Sequence, residues 1–247
     1  MENISISGEH LLGLVNQVLD ISQIESGVTH LELDTASIGS VINKVSKIME
    51  PELKLKNLSL DVDLQGVRDD TVICDSLHLN QVFINILTNA IKYSYPDGKI
   101  DFIVEQKTNL KNGKVNMDFR IKDYGVGMSK NFCENIFEPF QYDDNSQIKE
   151  NQGTGLGLHI AKNFIDMMGG SISVSSVLGK GSEFIINLDF DVPTLSEILD
   201  EDTEKNIQFE GKKILLVDDT DMNLWLSFAL SFNKVIFQNC LHDILSF

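Results

Sequence analysis

Three short constellations in this chain combine residue types that could do chemistry. Asn85 and Asn89 stand four apart and Lys92 follows three later, so on a helix all three project from one face. Amide oxygens there can ligate a hard cation such as Mg²⁺ while the ammonium meets phosphate charge, although such asparagines also serve as caps or face solvent. In Asp123-Tyr124-Gly125-Val126-Gly127 the two glycines permit backbone conformations and close approach that a Cβ would forbid. A carboxylate beside them can accept a hydrogen bond from an exocyclic amino group, which is one way to read adenine; an ordinary turn has the same spelling. Gly153-Thr154-Gly155-Leu156-Gly157-Leu158 is a glycine-rich run whose main-chain N–H groups, at the start of a helix, attract phosphate. It lacks the Gly-Lys-Ser/Thr ending of a Walker loop and follows a polar loop rather than a strand, so neither that loop nor a dinucleotide fingerprint fits.

The elements that must position these residues can be read from periodicity. A helix is expected from about Leu77 to Lys92, and another from about Leu158 to Met168, closed by Gly169-Gly170. Strict alternation in Val115-Asn116-Met117-Asp118-Phe119-Arg120-Ile121 predicts a half-buried strand that delivers Asp123 just past its end at Lys122; Leu58 to Leu64 alternates in the same way. Such a mixture without strict βαβ alternation predicts an α+β fold, a two-layer α/β sandwich with helices on one face of a largely antiparallel sheet. A doubly wound fold is second choice. The polar loop from Gln141 to Gln152 reads as a lid, with Lys149 in it either on a phosphate or solvated.

Outside this region, residues 8–27 carry a wide apolar stripe through Leu11, Leu14, Val18 and Ile21, widened by Leu12, Val15, Leu19 and Ile24. A stripe that broad needs partner helices, so the segment reads as one piece of a helical bundle. Seven acids and no Lys or Arg occur between Asp189 and Glu204, which marks a solvated linker. Ile214 to Val217 then reads as a buried strand ending in Asp218-Asp219, the start of a domain cut short. The expected organisation is therefore a bundle helix at 1–28, a central domain at 29–190, a linker at 191–211 and an incomplete domain at 212–247.

With 20 Lys+Arg against 37 Asp+Glu the chain has a formal charge of −17, and it lacks the basic field a nucleic-acid backbone requires. Cys74, Cys133 and Cys240 are odd in number and widely spaced, giving neither a disulfide framework nor a zinc pattern. No secretory leader follows Met1 and no apolar run suits a membrane span, so a cytoplasmic setting is expected, any anchor lying outside these residues.

Residues 5 to about 225 resemble the histidine kinases of two-component systems, within the ATPase superfamily that includes gyrase and the mismatch-repair protein MutL. Ser7 to Gly27 is similar to the second helix of the dimerisation and histidine-phosphotransfer bundle. Asp75 to Ser94 resembles the N box, which implies that Asn85 and Asn89 hold Mg²⁺ and that Lys92 meets phosphate. Asp123 to Gly127 resembles the G1 box, implying adenine at Asp123 with Gly125 and Gly127 beside it. Phe137 to Phe140 resembles the F box and brings in Phe140. Gly153, Thr154, Gly155, Leu156 and Gly157 resemble the G2 box, and Gly179 to Ser182 the later glycine-rich strand entry, bringing in Ser182. Ile214 to Asp219, with Asn223, resembles the start of a receiver domain, whose acidic pair Asp218 and Asp219 would bind Mg²⁺; this implies a hybrid kinase as the parent, one that can be membrane-anchored.

The resemblance implies ATP and Mg²⁺ as cofactors, and transfer of the γ-phosphoryl group to a histidine, then to an aspartate on a receiver or phosphotransfer partner. The family's phosphorylated histidine lies on the bundle helix before the one at 8–27, so it is expected from a missing helix or a dimer partner. None of His10, His30, His78, His159 and His242 has the matching context. From about Ser227 the tail departs from a receiver, for which a truncated or frame-shifted gene model is the expected cause. A regulatory fragment that binds nucleotide without catalysis is the alternative. ATP hydrolysis is disfavoured, because the superfamily's hydrolases place a glutamate where Asn85 stands, and an amide is no general base.

Overall fold

In a computed structural model the chain divides into two units, residues 1–193 and 194–247. Residues 15 to 194 are described, apart from 16, 20, 25, 65, 112 and 142–153. Residue Gly153, the loop from 142, the linker beyond 194 and the pair Asp218-Asp219 lie outside the described residues, as does the start of the N-terminal helix. Of that helix, residues 15, 17–19 and 21–24 are helical.

Alternation builds one seven-stranded sheet from β1 (Asp34–Ser37), β2 (Ser59–Asp63), β3 (Thr71–Cys74), β4 (Lys99–Lys111), β5 (Lys114–Asp123), β6 (Ser171–Val177) and β7 (Gly181–Asp191). The order is β1-β3-β7-β5-β4-β2, with β6 also on β7. All pairings are antiparallel except β2 with β4. The mixed, mainly antiparallel sheet with its helices is the two-layer arrangement expected. Val115, Met117, Phe119 and Ile121 of β5 point to the same side as Phe184, Ile186, Leu188 and Phe190 of β7, and all are buried. The other face carries Glu105, Asp118, Arg120 and Asn187, joined by hydrogen bonds and ion pairs.

After the N-terminal helical residues come α1 (Ile38–Leu55), α2 (Ser76–Tyr93), α3 (Lys130–Asn135) and α4 (Gly157–Met167). The α1 helix starts at Ser37, whose hydroxyl oxygen accepts from the Ser40 N–H, while Asp70 accepts from the Gly39 N–H at 2.8 Å. Its face Ile38, Val41, Ile42, Val45, Met49 and Leu53 is buried. The α2 helix is capped by Asp75, which is itself buried and accepts from the His78 N–H at 2.9 Å and the Glu32 N–H at 2.8 Å. Its apolar face locks onto the sheet through Phe83, whose ring meets Phe102 and Phe119 with centroids 5.1 Å away in each case. The α4 helix ends at Gly169, in the left-handed region at φ 74°. No helix among the described residues is long and apolar enough to cross a membrane.

Candidate functional site

One cavity of about 430 Å³ opens between α2, α4 and the ends of β5 and β7. Its floor is one stripe of α2: Gln81, Asn85, Thr88, Asn89 and Lys92 all line it. These positions recur at three and four residues, so the helix turns one polar stripe to the cavity while Phe83, Ile86 and Leu87 take the core; Asn80, also polar and buried, lies outside the cavity lining. The Asn85 Oδ1 accepts from Gln81 Nε2 at 3.3 Å, and its buried Nδ2 has no partner among the described residues. The Asn89 Nδ2 donates to the Asn85 main-chain oxygen at 3.1 Å, leaving its own Oδ1 unbonded among the described residues. A free amide oxygen fits Mg²⁺, and an orphaned amide donor fits a phosphate oxygen, so this pair suits a magnesium-bound polyphosphate. The second lone pair of Asn85 Oδ1 leaves that oxygen able to ligate the cation while Gln81 stays bonded to it.

Lys92 has no carboxylate within salt-bridge distance among the described residues; its ammonium lies 5.1 Å from the Tyr93 ring centre. Burial, and then repulsion from Lys56, hold its pKa below the ordinary lysine value. Lys56 is occupied elsewhere, donating to the main-chain oxygens of Ile91 and Lys92 at the C-terminus of α2. The cation at Lys92 therefore faces the cavity short of an anion.

At the opposite wall Asp123 and Ser182 stand side by side on the ends of β5 and β7, both buried and both lining the cavity. Burial raises the Asp123 pKa, against hydrogen bonds from the Gly125 N–H, at 2.9 Å, and from the main chain and hydroxyl of Ser182. Ser182 is in turn held by the Ser176 hydroxyl at 3.0 Å. The carboxylate thus has fixed neighbours and a lone pair left for a donor entering from the cavity.

The glycines beside Asp123 do something the sequence reading did not anticipate. A Cβ on Gly125 would lie 2.0 Å from the Tyr93 main-chain oxygen, and one on Gly127 would lie 2.0 Å from that of Val177. Their close approach is to the chain itself: the loop is wedged between the end of α2 and the β6–β7 turn, and Val126 ties it down by donating to the Tyr93 oxygen at 3.1 Å. Gly127 lines the cavity and Gly125 does not.

The third wall is the N-terminus of α4. Thr154, Gly155 and Gly157 line the cavity. No side chain among the described residues caps this helix, so its first-turn N–H groups are open to another acceptor. A Cβ on Gly157 would come within 3.6 Å of the Asn85 amide, which puts the helix end directly against the α2 stripe. Leu156 is fully buried in the core and anchors the turn instead of lining the cavity. Phe140 is 62% exposed and also outside the cavity lining; its N–H donates to the Gly155 oxygen at 3.0 Å, so it braces the glycine turn through the main chain. The His159 Nδ1 lies 2.8 Å from the Phe137 oxygen, a second tie between these segments. His78 is paired with Asp75 at 2.6 Å, beneath the start of α2.

The apolar wall that a purine needs comes from Ile84, Val126, Met128, Phe132, Ile136 and Phe184. Of these only Val126 falls within a motif of the sequence, between Gly125 and Gly127. Gln81 and Thr88 had a signal too, since they share the spacing of Asn85, Asn89 and Lys92. Gln17, from the N-terminal helical residues, also reaches the cavity, and nothing local in the sequence pointed to it.

A two-layer sandwich with a polyphosphate-suited floor, a buried acceptor for an amino group and an uncapped helix end defines an ATP-binding domain. Residues 74–192 match the family described as histidine kinase-, DNA gyrase B-, and HSP90-like ATPase. Over 222 residues, 89% of this chain and 26% of the relative, it is 32% identical to the autoinducer 2 sensor kinase/phosphatase LuxQ of Vibrio vulnificus. It is 33% identical over 192 residues, 78% of the chain and 21% of the relative, to the signal transduction histidine-protein kinase BarA of Escherichia coli K12. Among solved structures, full-length ShkA in complex with AMPPNP superposes with a TM-score of 0.65 at 28% identity, over 76% of this chain and 37% of that one. The histidine kinase AdeS of Acinetobacter baumannii gives 0.59 at 25% identity, over 78% and 84%. Residues 74–192 belong to the family of histidine kinase-, DNA gyrase B- and HSP90-like ATPases and form an ATP-binding catalytic domain of the histidine kinase type. The chain spans about a quarter of the length of the curated relatives it matches.

Proposed function

We propose that this chain binds Mg²⁺-ATP and presents its γ-phosphoryl group to a histidine on a bundle helix supplied by a partner, as the first step of a phosphorelay ending on an aspartate. The observation that carries this is the convergence, on one cavity, of the unpartnered Asn85 Nδ2 and Asn89 Oδ1, the Lys92 ammonium, the uncapped start of α4 and the buried Asp123-Ser182 pair. Asn89 would hold the cation, Asn85 would meet a phosphate oxygen or share the cation, and Lys92 would neutralise phosphate charge. Magnesium, when bound, would supply charge neutralisation on the polyphosphate. Asp123 would take the adenine amino group, held there by Gly125 and Ser182, with Gly127 shaping the loop. Thr154, Gly155 and Gly157 would lie along the phosphates, as would Gly153; Leu156 and Phe140 would hold that turn in place. Phosphoryl transfer of this kind rests on positioning and charge neutralisation, to which the chain's own groups would contribute together with the cation.

His78 and His159 both have structural partners, and on this reading neither is the acceptor. Asp218 and Asp219 would form a magnesium site in a receiver domain, and the acidic residues 191–211 would separate it from the catalytic domain. A dimer partner and a receiver or phosphotransfer protein are the expected protein partners. The test is incubation with γ-labelled ATP, with and without a separate two-helix bundle bearing the family's histidine. Acid-labile, alkali-stable label on the added bundle and none on the chain alone is the expected result. Stoichiometric label of that kind on the isolated chain, abolished by replacing one of its own five histidines, would overturn it.

A further inference from the structure

Gln17 reaches the nucleotide cavity from well outside the segment 74–192 that matches the ATPase family. Its Oε1 is buried and has no hydrogen-bond partner among the described residues. A buried amide oxygen without a donor costs free energy comparable to a lost hydrogen bond, so an unpaired one facing a cavity marks a place for a ligand donor. The face on which Gln17 stands supports this. Gln17, Ile21 and Ile24 are spaced four and three apart, which puts them on one side of the helical segment. Ile21 and Ile24 pack against the core of the ATPase domain, whereas Val15, Val18 and Leu19, on the other side, are about half exposed. The segment is thus fastened to the domain by two isoleucines, and one and two turns away it inserts a single polar group into the site.

Resting on the nucleotide reading above, we infer that Gln17 is a nucleotide-contacting residue that couples occupancy of the site to docking of the helical segment 15–24. The Gln17 Oε1 accepts a hydrogen bond that no described residue supplies. Phosphate oxygens only accept, and the adenine amino group is committed to Asp123, so the donor is a ribose hydroxyl or a water on the nucleotide-bound cation. Bound nucleotide then bridges α2 and the segment, and its departure removes one of the segment's attachments. The coupling is reciprocal: whatever pulls the segment away from the domain weakens nucleotide binding by the same factor.

The test uses the full chain and two variants. Gln17→Leu keeps the volume and removes the acceptor; Gln17→Glu keeps an acceptor. Calorimetry with MgADP should give about three- to tenfold weaker binding for Gln17→Leu and a smaller change for Gln17→Glu, the range expected for one lost hydrogen bond. Hydrogen exchange read by mass spectrometry should show that MgADP slows exchange across residues 15–24 in the wild type and not in Gln17→Leu. Repeating the titration with ADP and a chelator separates the two donors. If the penalty of Gln17→Leu disappears the donor is metal-bound water, and if it persists the donor is the ribose. Equal affinity of Gln17→Leu and wild type, with equal protection of 15–24, overturns the inference, and does so without touching the nucleotide reading if Asp123→Asn still weakens binding. Failure of the wild type to bind ADP at all would overturn both.

Discussion

Replacing Asp123 by asparagine separates binding from folding, because the structure asks opposite things of that carboxylate in the two processes. Burial raises its pKa, so its ionised form is a cost to the free domain that the Gly125 and Ser182 hydrogen bonds only partly offset. The sign follows from linkage: the group's contribution to stability is full below its unfolded value of about 3.8 and is lost as pH rises through the higher folded value. At neutral pH Asp123→Asn should therefore leave the melting temperature unchanged or slightly raised, since the amide oxygen can still accept from the Gly125 N–H, now at 2.9 Å from Oδ1. Binding responds the other way. With its oxygen so engaged, the amide turns its NH₂ toward the cavity, where a purine amino group also donates. Loss of a hydrogen bond to a charged acceptor costs about 1.5–3 kcal/mol, or roughly 10- to 150-fold in Kd. Wild-type affinity for ADP should also fall as pH is lowered through the raised folded pKa, and the variant's should not. Calorimetry at several pH values, with thermal unfolding on the same samples, reads all three effects. Equal ADP affinity for the two proteins would refute the adenine assignment, and a weakened affinity accompanied by a large fall in melting temperature would show that the residue acts through the fold.

Other predictions come from the same geometry. Lys92→Met should weaken ATP binding and flatten its salt dependence while leaving the free domain as stable or more so, because burial already disfavours the ammonium; calorimetry across ionic strengths checks it. Gly125→Ala should destabilise the domain by about 1–3 kcal/mol or more, since the new methyl would meet the Tyr93 oxygen at 2.0 Å; chemical denaturation gives the value. Asp75→Ala should cost about 1–3 kcal/mol through loss of the α2 cap and the Glu32 and His78 bonds. Burial pushes the Asp75 pKa up, but those hydrogen bonds outweigh it and hold it below the ordinary value. Its stabilisation is thus present above the unfolded pKa and lost as pH falls through the folded one, so the variant and wild type should converge in acid.

Much of the catalytic domain was legible because periodicity and function coincide on the same elements. The stripe Asn85, Asn89 and Lys92 could be read from spacing alone, as could the strand that ends at Asp123, which the structure extends by one residue beyond Lys122. The helix over Leu158 to Met168 is α4, shifted by a residue at each end. The α1 helix was less legible, for Gly39 lies in its first turn and Pro51 interrupts its later turns, and only its buried face through Val41, Val45 and Met49 reveals it. The edge strand β2 alternates as a half-buried strand should, yet Val62 is 42% exposed, because a sheet edge has a neighbour on one side only. What no local pattern could supply was contact across the fold. The purpose of Gly125 depends on Tyr93, the wall of the cavity depends on Phe132 and Phe184, and the reach of Gln17 depends on where Ile21 and Ile24 settle. Phe140 and Leu156 were legible by resemblance but act through the main chain and the core.

The central claim, that adenine nucleotide occupies the cavity between α2 and α4, is tested most directly by photolabelling with 8-azido-ADP in the presence of Mg²⁺ and mapping the modified peptides by mass spectrometry. Close to one label per chain is expected, abolished by excess ADP, on peptides that include Asp123 to Met128 or the neighbouring wall at Phe132 and Ile136. Labelling that ADP does not compete, or label confined to peptides away from this cavity, would contradict it.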